Sequence, residues 1–237
     1  KMDLVNFDPA VYEAIKTEFT NFATRLGVQE VRFIPVCALH GDNVVLRSTR
    51  MPWYQGETLL EYLENVYTAG DVNLVDFRFP VQYVIRGGSD HRAYAGQISS
   101  GIIHEGDEVM VLPSQRRTRV KSIEHFSHTG AGSLTAAGAP NSVALTLCDQ
   151  VDISRGDMLV RVGNVPMLQR EFEAMMVWMS ETPLEAGKPY LLMHGTRTAK
   201  IFVEHVRYKT EIATLSRRPA AKLELNEIGR VALSAAS

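Results

Sequence analysis

Two short stretches near the start of the chain carry residues that could bind a small molecule. The first is Lys1-Met2-Asp3, in which an amine and a carboxylate stand two positions apart. The second is Cys37-Ala38-Leu39, which directly follows the apolar run VRFIPV at 31–36. Taken alone, Lys1 and Asp3 are typical of a solvated terminus. Cys37 alone is more typical of a small buried residue than of a reactive thiol.

Other residues of catalytic or metal-binding types lack a suitable spacing. Cys37 and Cys148 lie far apart, and no further Cys, His or carboxylate cluster completes the pair His125 and His128. The phosphate-binding pattern Gly-x-x-x-x-Gly-Lys-(Ser/Thr) does not occur in these residues. We therefore expect no metal site here and assign no catalytic residue.

The first 70 residues are predicted to contain two helices and one strand. Asp8-Pro9 has the pairing of a helix N-cap and first turn, and Gly27 is placed to end that helix. The run ETLLEYLENVY predicts a second, amphipathic helix with Leu59, Leu60, Leu63 and Val66 on one face. Residues 31–36 are predicted to form a short buried strand. A lone buried strand leaves its hydrogen-bonding edges open, so this part is predicted to be the rear of a larger α/β domain.

The rest of the chain is predicted to form two β modules. Short β-rich runs are separated by Gly, Pro and Asp turns, which is typical of small barrels. A linker is predicted near Gly163-Asn164-Val165-Pro166. The predicted boundaries are 1–70 for the α/β part, 71–166 for the first barrel and 167–237 for an incomplete second barrel. The first barrel is expected to be closed over about residues 74–165, since closure leaves no exposed edges.

Composition narrows the class of protein. The 237 residues are 45% hydrophobic and 22% charged, with a net charge of −2, and the pI is about 6.4. This balance gives no electrostatic reason to expect nucleic acid, although the basic run QRRTRVK at 115–121 would suit an RNA-binding factor. No run approaches the ~20 apolar residues of a membrane helix. Two separate cysteines suit a reducing compartment, so we expect a cytoplasmic location and no membrane contact.

The two stretches together with the barrels resemble a known family. Lys1 and Asp3 are similar to the end of the Asn-Lys-x-Asp motif of translation-factor-class GTPases, and Cys37-Ala38-Leu39 is similar to their Ser-Ala-(Lys/Leu) loop. Two β-barrels follow the GTPase domain in elongation factor Tu and its relatives. The segments MPWYQGETLLEYLE, FRFPVQYV, YAGQISSGIIHEGDEVMVLPS and DQVDISRGDMLV most resemble the large, GTP-binding subunit of bacterial sulfate adenylyltransferase.

This resemblance implies a role for each of the first residues. The Asp3 carboxylate would accept hydrogen bonds from guanine N1–H and its exocyclic amine, and the Lys1 stem would pack over the base. Backbone N–H groups of Cys37, Ala38 and Leu39 would point at guanine O6, although Cys37 stands where the family usually has Ser. GTP and Mg²⁺ are the implied cofactors of the intact protein. The implied partner is the small subunit, which forms adenylyl sulfate from ATP and sulfate.

The resemblance also implies that this chain is an internal fragment. The phosphate-binding front and the last strands of the second barrel are expected to be absent, and the chain alone is expected to be inactive. A translation elongation or release factor that binds RNA is the alternative function. A barrel scaffold without nucleotide chemistry is a third.

Overall fold

The computed structural model describes residues 1–28, 30–66, 72–87, 91–127 and 130–236. The chain divides into two compact units, Lys1–Asp71 and Val72–Ser237. The predicted boundary at residues 70 and 71 and the histidine His128 lie outside the described residues, so the domain boundaries stay predictions.

Both predicted helices of the first unit are confirmed. A 3₁₀ turn spans Met2–Val5, α1 spans Pro9–Arg25 and α2 spans Leu59–Asn65. The Asp8 carboxylate accepts a hydrogen bond from the Ala10 N–H at 2.8 Å and caps the start of α1.

A capping box starts α2. The Thr58 side chain accepts from the Glu61 N–H at 3.3 Å, and the Glu61 carboxylate accepts from the Thr58 N–H at 2.8 Å. The first four N–H groups of a helix have no partner within the helix. These reciprocal bonds satisfy the N–H of Glu61 and the N–H of the N-cap residue Thr58.

The predicted strand at 31–36 is wrong. The structure assigns no strand to these residues, whose backbone carries only scattered bonds, such as that from the Met2 N–H to the Val36 carbonyl at 3.2 Å. A strand requires a neighbouring strand to complete its ladder of hydrogen bonds, and the described residues place none beside 31–36. An apolar run by itself therefore does not predict whether a segment will have a neighbouring strand to pair with.

The apolar faces of both helices are largely exposed. Leu63 on α2 is 59% exposed and Ile15 on α1 is 61% exposed, and Leu59 and Leu60 are also exposed. The sequence pattern correctly placed these residues on one side of each helix. The expectation that such a side packs against a core is not met within the described first unit.

The second unit is built from antiparallel strands, as predicted. The strands of its first module are β1 (Arg78–Pro80), β2 (Tyr83–Gly87), β3 (His91–Gln97), β4 (Ile102–His104), β5 (Glu108–Leu112), β6 (Arg116–Ser127), β7 (Gly130–Leu134), β8 (Ala136–Gly138), β9 (Ser142–Leu147) and β10 (Met158–Arg161). The main sheet has the order β1-β10-β5-β6-β9-β3-β2, with β7 beside β6, and β4 pairs separately with β8.

This sheet curls round so that its first strand, β1, lies near β3 at the other end of the strand order, and β1 and β2 are consecutive along the chain. At one end the Arg78 N–H donates to the Ser100 carbonyl at 2.9 Å. Past the bend between β1 and β2, the Gln82 N–H donates to the Ala95 carbonyl at 2.9 Å. The barrel interior is filled by buried side chains, among them Phe77, Phe79, Tyr94, Ile103, Leu145 and Leu159. The predicted barrel fold is therefore confirmed.

The basic run belongs to β6 and alternates as a barrel strand should. Arg117, Arg119 and Lys121 are exposed, whereas Thr118 and Val120 between them are buried. The Thr118 hydroxyl donates to the Asp149 carboxylate at 2.9 Å, which satisfies the buried hydroxyl.

The start and end of the first module are held together by polar side chains. The Arg78 guanidinium donates to the side-chain oxygen of Asn164 at 2.8 Å and to its carbonyl at 2.9 Å. Asn164 in turn donates to the Asp76 carboxylate at 2.5 Å. Side-chain hydrogen bonds from Asn73 and Asn164 lower the pKa of Asp76. The predicted linker is thus fixed to the first strand of the barrel.

The second module is a smaller set of strands. These are β11 (Glu171–Val177), β12 (Leu184–Glu185), β13 (Pro189–His194), β14 (Arg197–Thr210), β15 (Arg217–Arg218), β16 (Lys222–Leu223) and β17 (Ile228–Ala235). The main sheet has the order β11-β17-β14-β13, with β15 beside β14, and β12 pairs with β16. Leu184, Ile201, Val203, Leu223, Val231 and Leu233 form its core.

The turn between β13 and β14 rests on the first module. The Thr196 hydroxyl donates to the Val81 carbonyl at 2.8 Å. A Cβ on Gly195 would lie 3.4 Å from Pro80, and one on Gly156 would lie 3.3 Å from Arg197 Cα. The chain approaches closely at Gly156 and Gly195, so glycine suits both positions. We call this contact, made by Pro80, Val81, Gly156 and 195–197, the hairpin contact.

None of the helices in the described ranges is both long and apolar enough to span a membrane. Within the same ranges, no group of three or more His, Cys, Asp or Glu side chains is placed to hold a metal ion.

Candidate functional site

Lys1-Met2-Asp3 lies directly against the end of segment 31–36. The amino group of Lys1 donates to the Val36 carbonyl at 3.1 Å, and the Met2 N–H donates to the same carbonyl at 3.2 Å. Met2 is buried, whereas Lys1 is exposed and Asp3 is half-buried. The buried methionine fixes the segment and leaves the two polar residues on either side of it accessible.

The loop that begins at Cys37 is closed by a pair of backbone hydrogen bonds. The Cys37 N–H donates to the Asp42 carbonyl at 3.2 Å, and the Asp42 N–H donates to the Cys37 carbonyl at 3.1 Å. Cys37 is fully buried, but Ala38 and Leu39 are exposed, Leu39 to 78%. The loop therefore presents its tip to solvent while both of its ends are held.

Asp3 and Cys37 meet at this point. A side-chain hydrogen bond from Cys37 is the main cause that lowers the pKa of the Asp3 carboxyl, and a backbone hydrogen bond lowers this pKa further. Asp3 is therefore ionised at neutral pH and can accept hydrogen bonds. Of the five residues that the sequence nominated, the structure brings Lys1, Asp3 and Cys37 to one place and sets Ala38 and Leu39 in the adjoining loop.

Asp42 and Asn43 turn the chain after this loop, and Asn43 is also bonded to more distant residues. Asn43 has the positive φ of 55° that a turn of this kind needs. However, it is only 2% exposed, and its side chain bonds the Pro35 carbonyl at 2.9 Å and the Ser48 N–H at 2.8 Å. The partners lie 8 and 5 positions away. The signal in the sequence was the asparagine itself, which is permitted at positive φ and can both donate and accept.

The loop that contains Pro52-Trp53-Tyr54 packs onto α1. The rings of Trp53 and Tyr12 have centroids 5.3 Å apart, and the Trp53 indole N–H donates to the Phe7 carbonyl at 3.1 Å. Burial raises the pKa of Tyr12 to about 12, and its hydroxyl donates to the Phe33 carbonyl at 2.9 Å. A cavity of about 480 Å³ lies beside these rings, lined also by Glu13, Lys16, Glu57 and Tyr62.

The last part of the chain matches a known protein family. Residues 171–237 match the family described as GTP-eEF1A C-terminal domain-like. This match covers the second β module.

Comparison with curated proteins covers almost the whole chain. It is 47% identical over 239 residues to the bifunctional enzyme CysN/CysC of Mycobacterium tuberculosis, spanning 98% of this chain and 38% of that protein. It is 44% identical over 236 residues to sulfate adenylyltransferase subunit 1 of Bacteroides fragilis, spanning 100% of this chain and 49% of that protein. The Chromobacterium violaceum protein of the same name is 45% identical, over 99% of this chain and 48% of its own length.

Comparison with solved structures shows the fold. Sup35 complexed with GDP matches with a TM-score of 0.63 and 21% identity, covering 100% of this chain and 60% of that one. Translation elongation factor SelB of Methanococcus maripaludis matches with a TM-score of 0.56 and 21% identity, covering 75% of this chain and 39% of that one. The fold class predicted from the sequence, an α/β part followed by two antiparallel β modules of the elongation-factor type, is confirmed.

The chain spans about half the length of the sulfate adenylyltransferase subunit 1 proteins that it matches, 48% to 50% of four of them. Identities of 42% to 48% nevertheless extend along nearly all of its residues. The predicted resemblance to this subunit is confirmed.

Proposed function

We propose, on the premise that this chain is similar to sulfate adenylyltransferase subunit 1 along nearly its whole length, that it forms part of the GTPase subunit of that enzyme. In this proposal GTP hydrolysis by the large subunit drives the formation of adenylyl sulfate from ATP and sulfate. The first unit supplies the guanine-reading part of the nucleotide site.

The meeting of Asp3 with the loop that starts at Cys37 carries this proposal. Guanine presents two donors, N1–H and the exocyclic amine, on one edge, and an ionised carboxylate accepts both. The neighbouring O6 needs a donor, which the backbone N–H groups of Ala38 and Leu39 can supply. Adenine presents no such pair of donors. Residues 1–3 and 37–39 therefore fit a guanine base.

Binding of the nucleotide phosphates and of Mg²⁺ is proposed only on the basis of the resemblance to GTPases. When bound, Mg²⁺ neutralises charge on the phosphates of the nucleotide. The described residues contain no group of side chains placed to hold it, and we assign neither the ion nor the phosphates to any residue of this chain.

The chain alone is expected to bind GDP only weakly but to prefer it to ADP. Its candidate contacts are a few hydrogen bonds to the base, each contributing about 0.5–1.5 kcal/mol. A net contribution of ~4 kcal/mol corresponds to a dissociation constant near 1 mM. Titration of the labelled chain with GDP and ADP, followed by NMR shifts of residues 38 to 41, measures both affinities. Equal affinity for the two nucleotides, or micromolar binding of GDP, would show that the base site is elsewhere.

The β modules are proposed to bind the small, ATP-using subunit. The described part of these modules holds no cluster of metal-binding side chains, and its strands expose long polar and basic side chains such as those on β6. Sedimentation of the chain mixed with that subunit should show a complex at micromolar concentration. Sedimentation with aminoacyl-tRNA is the parallel measurement. A complex with the tRNA and none with the subunit would favour an RNA-binding factor instead.

A further inference from the structure

We propose that Asp42, Asn43, Ser48 and Arg50 form a positioning network that holds the two base-reading segments, residues 1–3 and 37–39, in register with each other. We call these four residues the Asn43 network. The inference rests on the proposed function, since it assumes that both segments contact guanine. None of the four is assigned a contact with the base itself.

Asn43 is the centre of the network. Its amide nitrogen donates to the Pro35 carbonyl at 2.9 Å, and its amide oxygen accepts from the Ser48 N–H at 2.8 Å. The Asn43 carbonyl accepts from the Leu59 N–H at 2.9 Å. Only a primary amide donates and accepts from a group of this size, so neither Asp nor Leu can replace it in both bonds. Asn43 therefore connects the residues just before the loop with the chain that follows it.

Asp42 holds the other side of the same loop. Its two backbone bonds to Cys37 close the turn, and its carboxylate accepts from the Ser48 hydroxyl at 2.6 Å. The second carboxylate oxygen is buried and has no hydrogen bond in the described structure. Its nearest ion-pair partner is the Arg50 guanidinium at 3.9 Å. A buried carboxylate oxygen is costly unless a donor or a charge compensates it, which favours keeping Arg50 over this site.

Arg50 extends the network to the first segment. The Arg50 guanidinium lies over the Phe7 ring, 5.2 Å from the ring centroid. The backbone N–H of Arg50 donates to the Ser48 hydroxyl oxygen at 3.1 Å. The Phe7 N–H donates to the Met2 carbonyl at 2.9 Å. Continuous contacts thus run from the loop at 37–39, through Asp42, Ser48 and Arg50, to the residues that carry Lys1 and Asp3.

This arrangement explains why so many bonds are placed behind a short loop. Backbone donors discriminate between bases only when they are held within about 0.5 Å of the position that makes the hydrogen bond. Residues 38 to 41 have few contacts of their own, because Ala38 and Leu39 are exposed. Their position is therefore set from behind, by the network.

Three variants test the network in the full chain. Ser48→Ala removes the hydroxyl that Asp42 and Arg50 share, and Asn43→Asp keeps the shape but replaces the donor to Pro35 with an acceptor. Asn21→Ala is the matched control, because Asn21 is an exposed asparagine on α1. Amide hydrogen exchange at Cys37 and Asp42 reports the loop, and NMR titrations with GDP and ADP report base discrimination.

We expect exchange at Cys37 and Asp42 to accelerate on the order of tenfold in Ser48→Ala and more in Asn43→Asp, since each removes side-chain bonds that hold the residues at the ends of the loop. The ratio of GDP to ADP affinity should fall by a similar factor, while ADP affinity and the exchange of amides inside α1 stay as in the control. Ser48→Ala keeps the test decisive if Asn43→Asp does not fold.

The two hypotheses fail in different ways. Unchanged exchange at Cys37 and Asp42 in Ser48→Ala would overturn the network. Faster exchange with an unchanged ratio of affinities would show that the network is structural and does not position the base, which also overturns the inference. If the wild-type chain itself does not distinguish GDP from ADP, the proposed function fails and the inference, which rests on it, fails with it, whatever the exchange rates show.

Discussion

Replacing Asp3 by asparagine is expected to change the base preference of the chain from guanine to xanthine. In the proposed site the carboxylate accepts two hydrogen bonds from guanine, and asparagine can accept only one and would set its amide against the second donor. Xanthine carries a carbonyl where guanine carries the exocyclic amine, so the asparagine amide can donate to it. Losing one of these bonds, at about 0.5–1.5 kcal/mol, and setting two donors against each other should lower the GDP affinity about tenfold.

NMR titration with GDP, ADP and xanthosine diphosphate measures this change. Asp152→Asn is the matched control, because Asp152 is an exposed aspartate of the second unit and should leave all three affinities unaltered. Xanthosine diphosphate should bind Asp3→Asn at about the affinity that GDP has for the wild type. If the ratio of GDP to xanthosine diphosphate affinity is the same in wild type and Asp3→Asn, Asp3 is not the residue that reads the base.

Replacing Gly101 by alanine is expected to cause a large loss of stability in the second unit. Gly101 has a φ of +78°, and a Cβ there would overlap the backbone of Phe77 and lie 2.7 Å from the Asp76 carbonyl carbon. Phe77 is fully buried in the barrel core, so the backbone cannot move away without disturbing that core. Left-handed strain costs about 1–2 kcal/mol, and overpacking a core adds about 1–3 kcal/mol.

Urea unfolding followed by the circular dichroism of the β-sheet measures the loss. Gly106→Ala separates strain from overlap, because Gly106 has a φ of +84° but open space around its Cβ position. We expect Gly106→Ala to cost about 1 kcal/mol and Gly101→Ala to cost several times as much. Similar losses in both variants would mean that the contact with Phe77 adds nothing.

The sequence predicted the barrels well because their signals are local. Many strands of the first module are short runs bounded by a Gly, Pro or Asp turn, as at Gly106-Asp107 before β5. The strand predicted at 31–36 failed for the opposite reason. Its apolar residues are a local signal, but a strand depends on a neighbour, and no pattern within 31–36 reports whether one is there.

The site was predicted in part. Lys1, Asp3 and Cys37 were nominated through a resemblance, and the structure brings them together through the bonds to Val36. The Asn43 network was missed, because its bonds join residues 35, 42, 43, 48 and 50 across a loop whose path only the folded structure shows. The bond between Asp76 and Asn164 spans 88 positions, and neither residue stands in a recognisable motif.

The hairpin contact is a second connection between the two β modules, besides the linker at 163–166. The Thr196 hydroxyl donates to the Val81 carbonyl at the bend where β1 passes into β2, and Gly195 and Gly156 leave room for Pro80 and Arg197. We therefore expect the orientation of the second module relative to the barrel to depend on this contact as well as on the linker.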